Sequence, residues 1–308
     1  MPIAYTELQT QTGQAIVNVF ETGQALGNYA QVTLAQGDVG GLSYGRSQVS
    51  LTSGNLYQVV AAYCAAPGAQ FAAGLTPYLP ALQACDPTLN DDAALKSLLA
   101  QAGADPVMRA VQDDYFDRTF WTPAIDAANT LGATTGLGGT ITYDSYIQSG
   151  PGGWQARAAQ TDAQGTFAAI GERAWYGNYV AVRRAWLAAS SSAPVRASVY
   201  RMDAFQSLID AGNWELALPI TVHGVYIDAN VLSGQAPAGR TLRVTTPFMT
   251  GSDVTALQQA LANAGYQVSV DGVYGPATAA AVQQFESARG LAADGIAGPS
   301  VRAALGLS

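Results

Sequence analysis

Histidine occurs once in this chain, at His223, and lysine once, at Lys96. There are two cysteines, Cys64 and Cys85, and no run of about 18 apolar residues. Each shortage removes a class of function. One histidine excludes a His-Glu-x-x-His zinc site and any multi-histidine metal centre. A serine triad would have to use His223, and no Gly-x-Ser-x-Gly elbow accompanies it, so His223 reads as a satisfied polar residue. Two cysteines cannot build a disulfide framework, and they read as buried thiols rather than as one disulfide. Fourteen basic residues against 22 acidic ones give a net charge of −8, which leaves no basic face for nucleic-acid phosphates. There is no Walker loop and no dinucleotide fingerprint; Gly136 to Gly139 follows no clear strand. The expectation is a chain without metal or cofactor, nucleic-acid partner or membrane span. Residues 1–10 carry no basic segment followed by an apolar one, so no secretory signal is readable, and the reading places synthesis in the cytoplasm.

What is present is apolar and weakly charged. Hydrophobic residues make up 49% of the 308 and charged residues 12%, enough to bury a sizeable core across two domains. The helical periods Gln14–Glu21, Leu56–Ala62, Ala94–Gln101, Pro106–Ala128, Phe167–Ala189 and Met202–Ala211 predict a mainly α, α+β first domain. Gly40–Val49 alternates as a short hairpin arm. Gly136–Gly153, rich in glycine, predicts a loop. The expected boundaries are a catalytic domain over 1–235, a Pro/Gly-containing linker over 236–246 and a small domain over 247–308.

The small domain carries an internal repeat. Asp271-Gly-Val-Tyr-Gly-Pro is echoed by Asp294-Gly-Ile-Ala-Gly-Pro. Each copy is an Asp-Gly turn followed by a proline, Pro276 or Pro299, suited to the first turn of a helix. Before them Val254, Leu257 and Leu261 sit at helical spacing, with Ser252 as a cap and Gly265 as a stop. Three short helices on one core follow, with Val282, Phe285, Leu291 and Leu305 contributing. The whole pattern, over 247–306, resembles the three-helix peptidoglycan-binding module. That resemblance implies a wall anchor without catalysis, with Asp271, Tyr274 and Asp294 among its wall-contacting residues.

Carboxylates are the remaining source of chemistry. Glycoside hydrolysis needs one protonated acid beside the leaving oxygen and one ionised carboxylate across the ring. Glu21 ends an apolar helix beside Val19 and Phe20, surroundings that disfavour its charge. Asp38 lies among glycines and polar groups that keep it ionised. Val19-Phe-Glu-Thr-Gly23, Gly37-Asp-Val-Gly-Gly-Leu-Ser-Tyr-Gly45, Tyr143-Asp-Ser-Tyr-Ile-Gln-Ser-Gly-Pro151, Ala181-Val-Arg-Arg-Ala-Trp186 and Arg201-Met-Asp-Ala-Phe205 follow one another in an order that resembles the chitosanase-type glycoside hydrolases of the lysozyme superfamily.

The resemblance implies a two-lobed fold and an inverting mechanism, with carboxyls about 6.5–9.5 Å apart. It makes Glu21 the general acid, Asp38 the general base and Ser43 a holder of the attacking water. It places Asp144, Arg184 and Arg201 on a buried acid–arginine network, with Arg183 adjacent to that assignment. Tyr44, Trp121 and Trp154 are candidates for stacking on sugars. Trp175, Tyr179, Arg183 and Trp186 share one helical face, mostly core.

Residues 1–245 have 12 basic and 18 acidic residues, a net charge of −6 that suits polycationic chitosan. The attached module favours peptidoglycan, because retention raises the local concentration of enzyme on the wall. The expected function is a monomeric muramidase acting on peptidoglycan strands, as a phage endolysin released through holin pores or as an injected effector. The alternatives are a chitosanase and a non-catalytic wall-binding protein.

Overall fold

A computed structural model describes residues 5–34, 41–234 and 239–307. In chain order the first elements are α1 (Glu7–Thr22), β1 (Val32–Thr33), β2 (Ser43–Tyr44), β3 (Val49–Ser50), α2 (Asn55–Ala65), α3 (Ala72–Leu75), α4 (Leu79–Gln83), α5 (Ala93–Ala102) and α6 (Pro106–Phe116). A π-type turn over Asp117–Trp121 leads into α7 (Thr122–Leu131). There follow α8 (Gly136–Asp162), α9 (Phe167–Ile170), α10 (Glu172–Ala188), α11 (Ala193–Ala197), α12 (Tyr200–Asp210), β4 (Ile220–Val222), β5 (Val225–Ile227) and α13 (Ala229–Leu232). The chain ends with β6 (Met249–Thr250), α14 (Ser252–Asn263), β7 (Val273–Tyr274), α15 (Pro276–Arg289) and α16 (Pro299–Ala304). The architecture is mainly helical, as expected. The chain forms two compact units: residues 1–26 with 125–308, and residues 27–124. Among the described residues no helix is long and apolar enough to cross a membrane.

The core of the first unit is aromatic. Trp175 of α10 is fully buried, stacked on Tyr179 at 5.4 Å and edge-on to Trp154 of α8 at 5.9 Å. Trp154 is therefore core and not a sugar platform. α8 corrects the expected loop. Thr135 caps it by accepting from the Gly138 N–H, and Glu172, at the start of α10, accepts from the N–H and hydroxyl groups of both Thr134 and Thr135. The glycines are there for contact. A Cβ on Gly138 would lie 2.6 Å from Tyr176 and 2.8 Å from the Glu172 carboxylate. The one break is at Gly150, with φ 65°, after which Pro151 reopens the helix.

The second unit holds the three-stranded sheet β1-β2-β3, with Tyr44 opposite both Val32 and Val49. Tyr44 is fully buried and Trp121 nearly so, so neither is a surface platform. Gly45, with φ 75°, lets the hairpin close over Gln112; a Cβ there would lie 2.1 Å from the Gln112 amide oxygen. That oxygen accepts from the Arg46 N–H. The Tyr63 hydroxyl, 2.5 Å from Asp105, and the N–H groups of Gln70 and Val107 hold the Asp105 carboxyl below the ordinary carboxylate range. Both cysteines are free thiols and half-buried.

The C-terminal module packs Val254, Leu257, Leu261, Val282 and Phe285 as expected, with Leu291 and Leu305 at its edge. Pro276 and Pro299 open their helices. Ser252 is the first residue of α14 and makes no side-chain cap; Gly251 holds that position. The two Asp-Gly turns are alike: Asp271 accepts from the Val273 N–H and Asp294 from the Ile296 N–H, both at 2.9 Å. The buried Gln258 amide braces the first turn and Glu286 the second. Of the expected linker, residues 236–238 lie outside the described residues. Arg240 and Leu242 are buried, and Leu242 is bridged to Ala297, so this stretch belongs to the module rather than to a free tether.

Two stability predictions follow from these contacts. Gly138→Ala should cost about 1–3 kcal/mol through overpacking, while Gly152→Ala, where a Cβ meets nothing within 4 Å, should gain about 0.5–1 kcal/mol; urea denaturation of both measures the contrast. Asp105 has a depressed folded pKa, so its stabilisation is present above its ordinary value of about 4 and is lost as pH falls through the folded one. Asp105→Asn should therefore lower the urea midpoint at pH 7 and differ less from the parent at pH 3.

Candidate active site

Glu21 sits in the last turn of α1, in the first unit. Gly23, in the left-handed region, closes that helix by returning its N–H to the Val19 carbonyl. The Phe20 carbonyl, left without an intrahelical partner, accepts the Tyr200 hydroxyl at 2.7 Å. The Phe20 ring packs edge-on to Tyr200 and Phe205. The end of α1 is thus fastened to α12, and Glu21 is carried by a fixed backbone.

The Glu21 side chain is 43% exposed, so the apolar enclosure expected from Val19 and Phe20 is absent. Those two residues are buried in the core. Arg201 of α12 meets the Glu21 carboxylate instead, at 2.7 Å, and with its other terminal nitrogen meets Asp144 at 2.9 Å. Asp144 is wholly buried on α8 and its second oxygen takes Arg183 of α10 at 2.5 Å. Arg183 also donates to Gln148. Burial opposes the charge on Arg201, but Asp144 and then Glu21 outweigh it and raise its pKa. Two guanidinium groups and two carboxylates form a chain of alternating charge that is formally neutral.

Arg183, not Arg184, completes this network. Arg184 points outward, 52% exposed, and pairs with Asp203 on the surface. A helix turns about 100° per residue, so adjacent arginines cannot share one buried face. The signal was present: Arg183 lies four and eight residues after Tyr179 and Trp175, both core. Tyr200 was missed, because nothing local marks a tyrosine whose partner is a carbonyl 180 residues away. His223 sits at φ 47° in the two-residue turn between β4 and β5 and stacks on Tyr200 at 4.2 Å.

The remaining candidates are described separately. Asp38 lies outside the described residues. Ser43 belongs to the second unit, on β2, nearly buried with its hydroxyl toward the Gly41 carbonyl. Tyr274 is fully buried, and its hydroxyl donates to the Gly295 carbonyl, so it ties the two module turns together and presents no wall-contacting surface. Asp271 and Asp294 spend a carboxylate oxygen on their own turns. Among the described residues no group of three or more His, Cys, Asp or Glu is placed to hold a metal.

The described site is thus a half-exposed carboxyl fixed by a buried acid–arginine chain, and a three-helix module follows it in the chain. The model of glycosyl hydrolase family 46 matches residues 15–220, and the peptidoglycan binding domain model matches residues 250–305. The chain belongs to glycosyl hydrolase family 46. A chitosanase of Bacillus subtilis (strain 168) is 26% identical over 230 residues, covering 70% of this chain and 81% of that protein. The solved GH46 chitosanase of Gynuella sunshinyii in complex with chitotetraose matches with TM-score 0.59 at 26% identity, covering 73% of this chain and 98% of its own. A mutant chitosanase from Bacillus subtilis MY002 complexed with 6 GlcN matches with TM-score 0.57 at 26% identity, covering 71% and 95%. The zinc D-Ala-D-Ala carboxypeptidase of Streptomyces albus G is 69% identical over 36 residues, which are 12% of this chain and 14% of that protein.

Arg183→Ala should cost about 3–5 kcal/mol, because it leaves the buried Asp144 without one of its partners. Arg184→Ala should stay within about 0.5 kcal/mol, as for an exposed pair. Equal effects in denaturant titrations would contradict the assignment of Arg183 to the network.

Proposed function

We propose that the chain is a chitosanase that hydrolyses β-1,4 bonds between glucosamine units, held at a bacterial wall by its C-terminal module. The observation that carries this is the Glu21–Arg201–Asp144–Arg183 chain in a member of glycosyl hydrolase family 46. The muramidase expectation rested on the module, which bears on where the enzyme is retained and not on which sugar its cleft accepts. The relatives of the catalytic segment named above are chitosanases. The net charge of −8 fits a polycation better than a wall polymer bearing carboxylates.

In this reading Glu21 gives its proton to the leaving glycosidic oxygen. Its exposure lets a glycan reach it. Arg201, anchored on Asp144, holds it in one orientation and receives the carboxylate that the proton leaves behind. Asp38 is the proposed base that takes a proton from the attacking water, and the anomeric configuration inverts. Ser43 is proposed to help hold that water.

Glu21→Gln tests the acid. General acid–base assistance is worth about 10²–10⁴-fold, so release of reducing ends from soluble chitosan should fall by at least the lower figure while the variant still sediments with sacculi. Half of the parent rate retained on chitosan would refute the role. Reducing ends released from purified sacculi, but not from chitosan, would restore the muramidase.

A further inference from the structure

A cavity of 460 Å³ lies where the end of α1 meets the C-terminal module. One wall is Thr22 to Leu26, the residues directly after Glu21. Tyr226 and Val231 form another, and Thr255 and Asp271 of the module face them. Most of its lining is outside the 15–220 segment matched by the family model.

The module is fastened at this place. β5 pairs with β6 in parallel, Val225 opposite Thr250. The backbone approaches so closely that a Cβ on Gly224 would lie 2.5 Å from the Phe248 carbonyl. Arg240, buried, holds the equally buried Asp253 with two nitrogens at 2.8 and 2.9 Å and donates to the Thr250 carbonyl at 2.8 Å. Its guanidinium lies 5.1 Å over the Tyr226 ring. Such contacts make a preformed cavity rather than a gap between tethered bodies, and its volume is within the range of about 300–1,000 Å³ usual for ligand sites.

The lining has a definite chemistry. It contains no lysine, arginine or histidine, so no cationic side chain there receives an anion. Thr22, Ser252 and Thr255 supply hydroxyls. Asp271 supplies a carboxylate whose pKa is lowered by the Val273 N–H and then by Gln258. Hydroxyls with one negative charge suit a polyhydroxylated, positively charged ligand. Lactyl and peptide carboxylates would be repelled.

The geometry points to an additional subsite for a glucosamine-bearing glycan, built jointly by the catalytic unit and the wall module and continuing a bound strand beyond Glu21. This rests on the chitosanase reading. It gives the module a second task, grip on the substrate itself.

The test uses the full chain in two arms. In the first, glucosamine hexamer is titrated into the Glu21→Gln protein and amide shifts are followed by NMR. Saturable shifts at Thr255, Asp271 and Gly272 are expected, weakened in the Asp271→Asn background. Absence of shifts there, with parent cleavage of chitosan intact, overturns the subsite and leaves the function standing. Shifts there from a muropeptide but not from the hexamer overturn the ligand class. No chitosan cleavage by the parent and no hexamer binding overturn both readings. In the second arm Thr255→Trp, which fills the cavity from an exposed position on α14, should raise the KM for polymeric chitosan about tenfold, a loss of about one decade in affinity, with kcat retained. An unchanged KM in the folded variant overturns the proposal, and the NMR arm stands if that variant does not fold.

Discussion

The bridge that Arg201 makes between Asp144 and Glu21 is the interaction on which the site depends. A carboxylate as deeply buried as Asp144 is tolerable only when paired and hydrogen-bonded. Two arginines from two different helices answer that need, so α8, α10 and α12 are brought to one point. One of the arginines then has a hand free at the surface, and that hand holds Glu21. The demand for neutrality in the core and the placing of a half-exposed carboxyl at its edge are met by the same side chain. Removing Asp144 would release Arg201 and, with it, the orientation of Glu21.

Much of this was legible in the residues. Helix positions followed from apolar spacing, and α1, α2, α5, α12, α14 and α15 fall where the periods put them, displaced by a few residues at their ends. The module followed from its two Asp-Gly turns and their prolines. Glu21, Asp144 and Arg201 were named from short motifs. What the residues concealed was packing. Glycine in Gly136–Gly153 suggested a loop because an isolated glycine weakens a helix. In the folded chain those glycines let α8 approach Tyr176 and Glu172 closely. Tyr44, Trp121, Trp154 and Tyr274 read as ligand-facing aromatics, yet all are buried. Local sequence gives an aromatic side chain's capacity to stack, while its face is decided by partners far along the chain. The arginine pair at 183 and 184 differs by one residue, and only the direction of the helix face separates core from solvent.

The module shows the same lesson at a larger scale. Its composition suggested a tether before residue 247, whereas Arg240 and Leu242 belong to its own packing. The parallel pairing of β5 with β6 joins it to the end of the catalytic segment through backbone hydrogen bonds. A module attached in this way imposes direction as well as proximity. Effective concentration alone requires only a linker of suitable reach. Here the module and Glu21 fall within a single compact unit.

The central claim is that Arg201 positions Glu21 through Asp144, and Arg201→Lys tests it most directly. Lysine keeps the charge but cannot reach two carboxylates with one planar group. The measurement is the pH profile of kcat on soluble chitosan, alongside the melting temperature. The account predicts that kcat falls about 10²-fold, within the usual range for lost acid–base assistance, with an altered acid limb and a cooperative melt retained. An unchanged kcat and pH profile in a folded Arg201→Lys protein would contradict it.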